Sequence, residues 1–176
     1  MGSATTQSRV IIFTGLPGTG KSTLAEQVAR SAGIPAFSAD WLMGAIKPAL
    51  AKVDRSEYLA ARSGLLGTLV TRQLMLGQDA IVDALVSESD VMSWRETAAR
   101  SPARWFLIEC ICSDEAIHRE RIEGRIRGIP GWHEVGWDFV ERMRAELFPL
   151  TADRLTVDAA EPVADNLRLV LDYLSA

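Results

Sequence analysis

One glycine-rich stretch near the start constrains the fold more than any other part of this sequence. An apolar run at residues 10–13 leads into GLPGTGKS at residues 15–22, which has the spacing G-x-x-x-x-G-K-[ST]. Closely spaced glycines followed by Lys and Ser are typical of a loop whose backbone N–H groups wrap around phosphate oxygens at a helix N-terminus. The chain is therefore expected to begin as strand, phosphate-binding loop and helix.

The loop supplies the candidate nucleotide-binding residues. Lys21 would reach the β- and γ-phosphates of a nucleoside triphosphate, and the hydroxyl of Ser22 would ligate Mg²⁺. The alternative is a glycine turn between a core strand and a helix that holds no ligand. The complete candidate set is Gly15, Pro17, Gly18, Thr19, Gly20, Lys21, Ser22 and Thr23.

Composition indicates one globular domain over residues 1–176. Hydrophobic residues make up 48% and charged residues 24% of the chain, as in soluble proteins. With 19 basic and 23 acidic residues the net charge is 19 − 23 = −4, which argues against a nucleic-acid partner. Residues 1–8 form a polar tail, and no apolar run is long enough to span a membrane. Two cysteines and two isolated histidines make no zinc set, and we expect a cytoplasmic protein.

Short apolar runs alternate with helical patterns along the chain, which predicts repeated βαβ units and an α/β fold with a parallel sheet. Helices are expected after each strand, including one over residues 137–148. A helical insertion over residues 41–78 contains a long helix that begins at a capping box, Asp54 to Glu57. Gly64 and Gly67 lie inside that helix, and close packing against a neighbour would explain them. The predicted strands are 10–13, 36–38, 80–83, 105–112 and 154–157.

Acidic residues follow several of these strands, where ligands of parallel sheets gather. Asp40, after the second strand, is the candidate general base that accepts the proton of an acceptor hydroxyl. Its structural alternative is a helix N-cap. Asp83, at the end of the third strand, is the candidate Mg²⁺ ligand of a Walker-B type, and its alternative is a turn residue. Asp158 follows the fifth strand.

A cluster of arginines predicts a lid over residues 119–137. Ser113 is expected to cap the helix that carries them. Arg121 and Arg125 have i, i+4 spacing, which predicts that they share one helix face, and Arg127 follows just before a Gly/Pro-rich hinge. Arginines on a mobile segment could close over a triphosphate and stabilise the transferring charge. The alternative is a solvated charged face, and His118 and His133 are expected to be ordinary surface or lid residues.

Together these motifs resemble the small P-loop kinases of AAA type. Members of that group include gluconate and shikimate kinases, chloramphenicol phosphotransferase, zeta-toxin-like kinases and the kinase domain of polynucleotide kinases. The resemblance rests on GLPGTGKSTLA at residues 15–25, Asp40, VDA at residues 82–84, and Arg121 with Arg125. It implies a three-layer P-loop fold with a five-stranded parallel sheet of order 2-3-1-4-5 and a helical lid. It also implies ATP as donor, Mg²⁺, and an adenine site between the lid arginines and the loop that begins at Asp158.

The acceptor side departs from this pattern. Polynucleotide kinases carry Asp-x-x-Arg where this chain has Asp40-Trp41-Leu42-Met43, and shikimate kinases carry Asp-x-Asp where position 42 is Leu. The acceptor residues of those enzymes therefore cannot be carried over. Trp41, Met43 and Trp94 suggest an apolar wall beside Asp40 and Asp83, although core packing is the alternative for each.

The sequence thus favours an ATP- and Mg²⁺-dependent phosphotransferase that acts on a hydroxyl of a small molecule, either an antibiotic or a sugar-like metabolite. Asp40, Lys21, Arg121 and Arg125 are the candidate catalytic residues. A kinase of nucleic-acid or nucleotide 5′-hydroxyls is the alternative within enzymes. A nucleotide-binding regulatory switch without an acceptor is the alternative of another class. The sequence leaves the acceptor and the oligomeric state open.

Overall fold

The computed structural model describes residues 7–50, 52–146 and 149–176. Five parallel strands form one sheet in the order β2-β3-β1-β4-β5, which confirms the predicted fold class and strand order. The first strand begins at Ser8, the last residue of the predicted polar tail, and residues 1–6 of that tail lie outside the described part. The strands are β1 (Ser8–Thr14), β2 (Ala36–Ser38), β3 (Ala80–Asp83), β4 (Ala103–Ile111) and β5 (Leu155–Asp158).

Helices occupy the connections between strands, as right-handed parallel crossovers require. The insertion between β2 and β3 holds two α-helices joined through a 3₁₀ turn, Lys47–Leu50. The last two residues of the helix predicted over 137–148 lie outside the described residues. The helices are α1 (Lys21–Ala32), α2 (Ala39–Ile46), α3 (Arg55–Met75), α4 (Glu88–Thr97), α5 (Glu115–Glu123), α6 (Trp137–Glu146) and α7 (Val163–Ser175).

The sheet buries both of its faces, because side chains alternate along each strand. In β1, Ile11 and Phe13 pack on the side of α1 and α7, whereas Val10 and Ile12 pack on the side of α3 and α4. The four central residues of β1 are at most 1% exposed. Near-continuous apolar runs are typical of such doubly covered strands. The result is three layers, with the sheet between two layers of helices.

Helix ends follow the predicted capping signals with one exception. Asp54 and Glu57 form the capping box that opens α3. α1 ends at Gly33, whose positive φ of 65° suits a residue without a Cβ. The predicted cap of α5 is wrong by one residue. Asp114, rather than Ser113, holds the N-cap position, and its side chain accepts a hydrogen bond from the amide of Ile117 at 3.0 Å.

The register of the sheet sets the position of its carboxyl edge. Ser38 of β2 pairs with Asp83 of β3, Asp83 pairs with Phe13 of β1, and Phe13 pairs with Ile108 of β4. The loops that leave these strands therefore start at the same level. Within the part of the chain that the structure describes, no helix has the length and apolar character needed to cross a lipid bilayer.

Candidate functional site

The phosphate-binding loop follows β1 and has the backbone conformation that its glycines predict. Gly15, Gly18 and Gly20 have φ values of 142°, 87° and 78°, which L-residues with a Cβ rarely adopt. Thr19 closes the loop internally, since its hydroxyl donates to the carbonyl of Leu16 at 2.8 Å. Gly20 occupies the N-cap position of α1. The N-terminus of α1 and its unpaired amides therefore lie directly behind the loop.

Lys21 and Asp83 bring opposite charges to the base of the loop. Lys21 is the first residue of α1 and is 8% exposed, and Asp83 at the end of β3 is 7% exposed. Asp83 Oδ1 is buried and has no hydrogen-bond partner among the described residues. A buried carboxylate oxygen without a partner is costly unless a cation or water binds it, so Asp83 fits a metal ligand. Ser22, one residue into α1, is the second candidate ligand.

Asp40 lies in the first turn of α2 and is held by an arginine of the predicted lid. Ser38, the last residue of β2, holds the N-cap position of α2, so Asp40 is not the helix N-cap. Its Oδ2 accepts a hydrogen bond from Arg127 Nη2 at 2.5 Å. The two side chains are 29% and 17% exposed, which makes this a partly buried, charge-assisted pair. One carboxylate oxygen of Asp40 is thereby fixed in position.

The two lid arginines are not on one helix face, and that part of the prediction is wrong. α5 ends at Glu123, and Gly124 occupies the C-cap position. Arg121 is exposed on α5, whereas Arg125 lies beyond the helix and lines the cleft with Lys21 and Asp40. Glycine is a poor helix former, so the chain can leave the helix there.

Arg125 is placed where a negative charge would be stabilised. Burial lowers the pKa of its guanidinium, and the neighbouring Arg127 lowers it further. The carboxylate of Glu134 lies 4.0 Å from Arg125 Nε and accepts a hydrogen bond from the amide of Arg127. Among the described residues, no hydrogen-bond partner is present for the buried Nε of either arginine. An anion entering the cleft would meet the guanidinium group of Arg125, which is among the lining residues, whereas the guanidinium of Arg127 is paired with Asp40.

The predicted lid docks along one face of α2. Asp40, Gly44 and Lys47 are one helical turn apart and point the same way. Asp40 accepts a hydrogen bond from Arg127, and Gly44 packs against the backbone of residues 130–132. Lys47 lies within hydrogen-bonding distance of His133. A Cβ on Gly44 would come within 2.5 Å of the carbonyl oxygen of Pro130, so only glycine allows the two backbones to approach this closely. The predicted lid therefore packs against the helix that carries Asp40.

The cleft between the loop, α2, α3, α4 and α6 has a volume of about 1370 Å³. Met43 and Trp94 line it and are almost fully buried. Trp41, which the sequence places with them, is 53% exposed and is not among the lining residues. Trp132 and Phe139 add aromatic surface to the wall on the lid side. This volume exceeds the roughly 300–1,000 Å³ that is typical of small-molecule pockets.

Asp158 helps to shape the far end of the site. Although burial opposes the shift, hydrogen bonds from Ser113 and Ala160 lower the pKa of its carboxyl group. Arg121 lies close enough to contribute to the same shift. The neighbouring Ala159 approaches Gly20 at the start of α1. The residues implied for adenine binding are thus adjacent to the phosphate-binding loop. The Asp158 side chain itself accepts hydrogen bonds from backbone amides.

Three residues of the site were not singled out for these roles in the sequence. Arg127 was grouped with the other arginines and not with Asp40. Arg62, on α3, lines the cleft, and its buried Nε has no hydrogen-bond partner in the described ranges. His118 is buried and contacts the phosphate-binding loop, so its assignment as an ordinary surface or lid residue is wrong. The contacts of Arg127 with Asp40 and of His118 with Pro17 join residues far apart in the chain, so local sequence patterns do not predict them.

The two cysteines differ in environment. Cys110, in β4, is 1% exposed, and burial raises the pKa of its thiol to about 12. Cys112 is half-buried just after the strand, and burial raises its pKa as well. Both are free thiols. The charge of Arg121 lowers the pKa of Cys112 and the charge of Asp158 raises it, so Cys112 lies beside the predicted lid.

Comparison with known proteins supports the architecture. A family model described as "AAA domain" matches residues 10–150. None of the curated protein sequences matches the chain significantly.

Several solved structures have the same fold. A gluconokinase from Sinorhizobium meliloti is 20% identical with a TM-score of 0.67, and 96% of this chain aligns with 91% of that one. A sugar kinase from Janibacter sp. is 17% identical with a TM-score of 0.71, and the coverages are 97% and 95%. The Mycobacterium tuberculosis APS kinase, solved with AMPPNP and APS, is 19% identical with a TM-score of 0.67, and the coverages are 97% and 99%. At these identities the likeness shows the fold, which is that of small P-loop kinases.

Proposed function

The chain belongs to this AAA-domain family, and from that premise we propose that it is an ATP- and Mg²⁺-dependent kinase that phosphorylates a hydroxyl group of a small molecule. One observation carries the proposal. Asp40 and Lys21 line the same cleft, and the side chain of Asp40 is held there by a hydrogen bond from Arg127. A nucleotide-binding switch needs the loop but has no use for a carboxylate fixed across from it.

Phosphoryl transfer requires the γ-phosphate to be held, its charge to be neutralised and the acceptor hydroxyl to be aimed in line. The loop amides and Lys21 would hold the phosphates, and Arg125 would stabilise the transferring charge from the cleft side. The Arg127 hydrogen bond occupies Oδ2 of Asp40, so Oδ1 would accept the proton of the hydroxyl. Bound Mg²⁺, held by Ser22 and Asp83, would neutralise negative charge on the phosphates.

The cleft suggests which acceptors to test first. Its apolar side includes Met43, Trp132 and Phe139, and its polar side includes Tyr58 and Arg62. An acceptor that combines an apolar or aromatic face with polar groups would use both sides. That description fits many antibiotics at least as well as it fits a simple sugar.

A kinase for 5′-hydroxyls of nucleotides or nucleic acids is the second candidate. The sequence lacks an arginine three residues after Asp40, but Arg127 places a guanidinium on the same carboxylate from a different part of the chain. Nucleic-acid substrates would give phosphorylation that weakens steeply with salt, because phosphate contacts release counterions. A neutral small molecule would show little salt dependence.

The test is ADP release across a panel of hydroxyl compounds that includes aminoglycosides, phenicols, sugars, nucleosides and oligonucleotides. We expect one class to stimulate ADP release above the rate with ATP alone. Lys21→Ala should abolish turnover. Asp40→Asn should slow phosphorylation of the active class by about 10²–10⁴-fold while acceptor binding is retained, because that is the usual contribution of a positioned base.

Two outcomes would contradict the proposal. If Asp40→Asn stays within about threefold of the unmodified protein, Asp40 is not the base, since the loss would fall far below that range. If ATP binds but no compound stimulates ADP release, the regulatory switch becomes the better explanation.

A further inference from the structure

His118 is the buried histidine that connects the predicted lid to the phosphate-binding loop. It lies on α5 and is 1% exposed. Its Nε2 is 2.7 Å from the carbonyl oxygen of Pro17, and its Nδ1 is 3.4 Å from Nη2 of Arg144. The ring packs edge-on against Trp137, with 5.1 Å between the ring centroids. Both ring nitrogens are therefore engaged, one by the loop and one by α6.

These partners define the proton position on the ring. An arginine guanidinium can only donate, so Nδ1 of His118 must accept from Arg144. Nε2 then carries the hydrogen and donates it to Pro17, and the ring is neutral. Burial is the largest cause that lowers the pKa of His118. The Pro17 carbonyl opposes this effect, and the positive charges of Arg144, Arg121 and Arg125 add to it.

Through Pro17, His118 also fixes the next amide of the loop. The described peptide bonds are all trans, and in a trans peptide the C=O and the following N–H point in opposite directions. Because the Pro17 carbonyl is directed at His118, the N–H of Gly18 is directed away from α5. A Cβ on Gly18 would lie 2.9 Å from Cδ2 of His118 and 2.8 Å from Cδ1 of Ile122, so α5 supports the loop at two successive residues.

We propose that His118 is a positioning residue for ATP, because it holds the Pro17–Gly18 peptide with the Gly18 N–H turned toward the bound phosphates. The inference rests on the proposed function only in taking ATP as the ligand of the loop. It does not depend on the identity of the acceptor. Without the hydrogen bond, the peptide could rotate and present its carbonyl oxygen, which would repel a phosphate.

The test compares two amide side chains at this position. The amide nitrogen of glutamine can occupy the place of Nε2 and donate to Pro17, whereas the shorter asparagine places its nitrogen near Nδ1 and cannot reach the loop. We expect His118→Gln to bind ATP within about threefold of the unmodified protein, and His118→Asn to bind about tenfold more weakly, near the upper range for one hydrogen bond. ATP affinity is measured directly by calorimetric titration, without any acceptor.

Controls separate positioning from loss of packing. Trp137→Phe disturbs the other side of the ring and leaves the Pro17 hydrogen bond, so it should reduce thermal stability while ATP affinity stays within about twofold, because no loop hydrogen bond is lost. Glutamine and asparagine variants of equal stability but unequal affinity would support the inference. Equal ATP affinity in both variants would overturn it. If the unmodified protein binds no ATP, the proposed function fails instead.

Discussion

At the scale of single residues, two glycines in α3 have different reasons to be there. A Cβ on Gly67 would lie 2.7 Å from Cδ1 of Trp94, whereas a Cβ on Gly64 would meet nothing within 4 Å. The Trp94 ring cannot easily move, since its Nε1 donates to the carbonyl of Ser63 at 2.9 Å. The packing explanation offered for both glycines therefore holds for Gly67 only.

This difference predicts opposite effects of one substitution. Gly67→Ala should destabilise the protein by about 1–3 kcal/mol, because the added methyl group overpacks the contact with Trp94. Gly64→Ala is the matched control on the same helix and should stabilise by up to about 1 kcal/mol, through helix propensity. Urea unfolding followed by circular dichroism measures both. A Gly67→Ala protein as stable as the control would show that the contact adapts without cost.

Residue-level prediction from sequence succeeded where the signal was local. The phosphate-binding loop and the aspartates at strand ends are found where the spacing placed them, and their binding roles stay predictions. The partner of Asp40 could not be found in the same way, since Arg127 lies 87 residues away in the chain. Burial of His118 likewise follows from the docking of α5 on the loop, which no local pattern encodes.

At the scale of elements, the contact between α2 and the predicted lid predicts a second effect. Gly44→Ala should separate the two backbones, because its methyl group would lie within 2.5 Å of the Pro130 carbonyl oxygen. We expect amide hydrogen exchange across residues 128–133 to rise by at least about tenfold, since local opening becomes easier. Phosphorylation of the acceptor should slow in parallel.

Gly64→Ala serves as the control here too, because it adds a methyl group to the same insertion without touching the lid. Exchange in residues 128–133 should be unchanged in that variant. If Gly44→Ala leaves exchange unchanged as well, the lid is held by other contacts, and the close approach at Gly44 is incidental.

Strands were predicted more accurately than the lid for a physical reason. Central parallel strands are buried on both faces, so an apolar run bounded by turn residues marks them with an error of a residue or two at each end. The helix carrying the arginines was extended too far, because i, i+4 spacing continues past Gly124 in the sequence. In the structure, the chain leaves the helix there and Arg127 reaches Asp40.

At the scale of the whole molecule, a carboxylate that accepts hydrogen bonds from a distant loop makes the free energy of unfolding depend on pH. Oε1 of Glu88 accepts hydrogen bonds from the hydroxyl and amide of Thr151 and the amide of Ala152. Those bonds lower the pKa of Glu88 below its ordinary value of 4.5. The folded state then binds fewer protons than the unfolded state. The stabilisation is present above pH 4.5 and is lost as the pH falls through the lowered pKa.

We therefore expect Glu88→Gln to be less stable than the unmodified protein at pH 7, with the difference shrinking below pH 4.5. Urea midpoints across pH 3–7 measure this. Glu96→Gln, an exposed residue on the same helix, is the control and should give a constant difference. A Glu88→Gln difference that stays constant with pH would show that the hydrogen bonds stabilise both protonation states equally.

The architecture of the whole molecule was available from the sequence through its alternating pattern and its resemblance to known kinases. The sheet order is as that resemblance implied. The size of the cleft and the position of the predicted lid on α2 could not be predicted from the sequence. Both follow from contacts between elements that are distant in the sequence.

The unequal burial of the two cysteines has a practical consequence. Cys110 is enclosed in the sheet, and burial raises the pKa of its thiol to about 12, so electrophilic dyes should react with it very slowly in the folded protein. Cys112 is more accessible and lies beside Arg121 of the predicted lid. A maleimide fluorophore added at mildly alkaline pH should label this one position. The natural chain thus carries its own attachment point for an optical reporter of lid movement, and no cysteine needs to be removed or introduced.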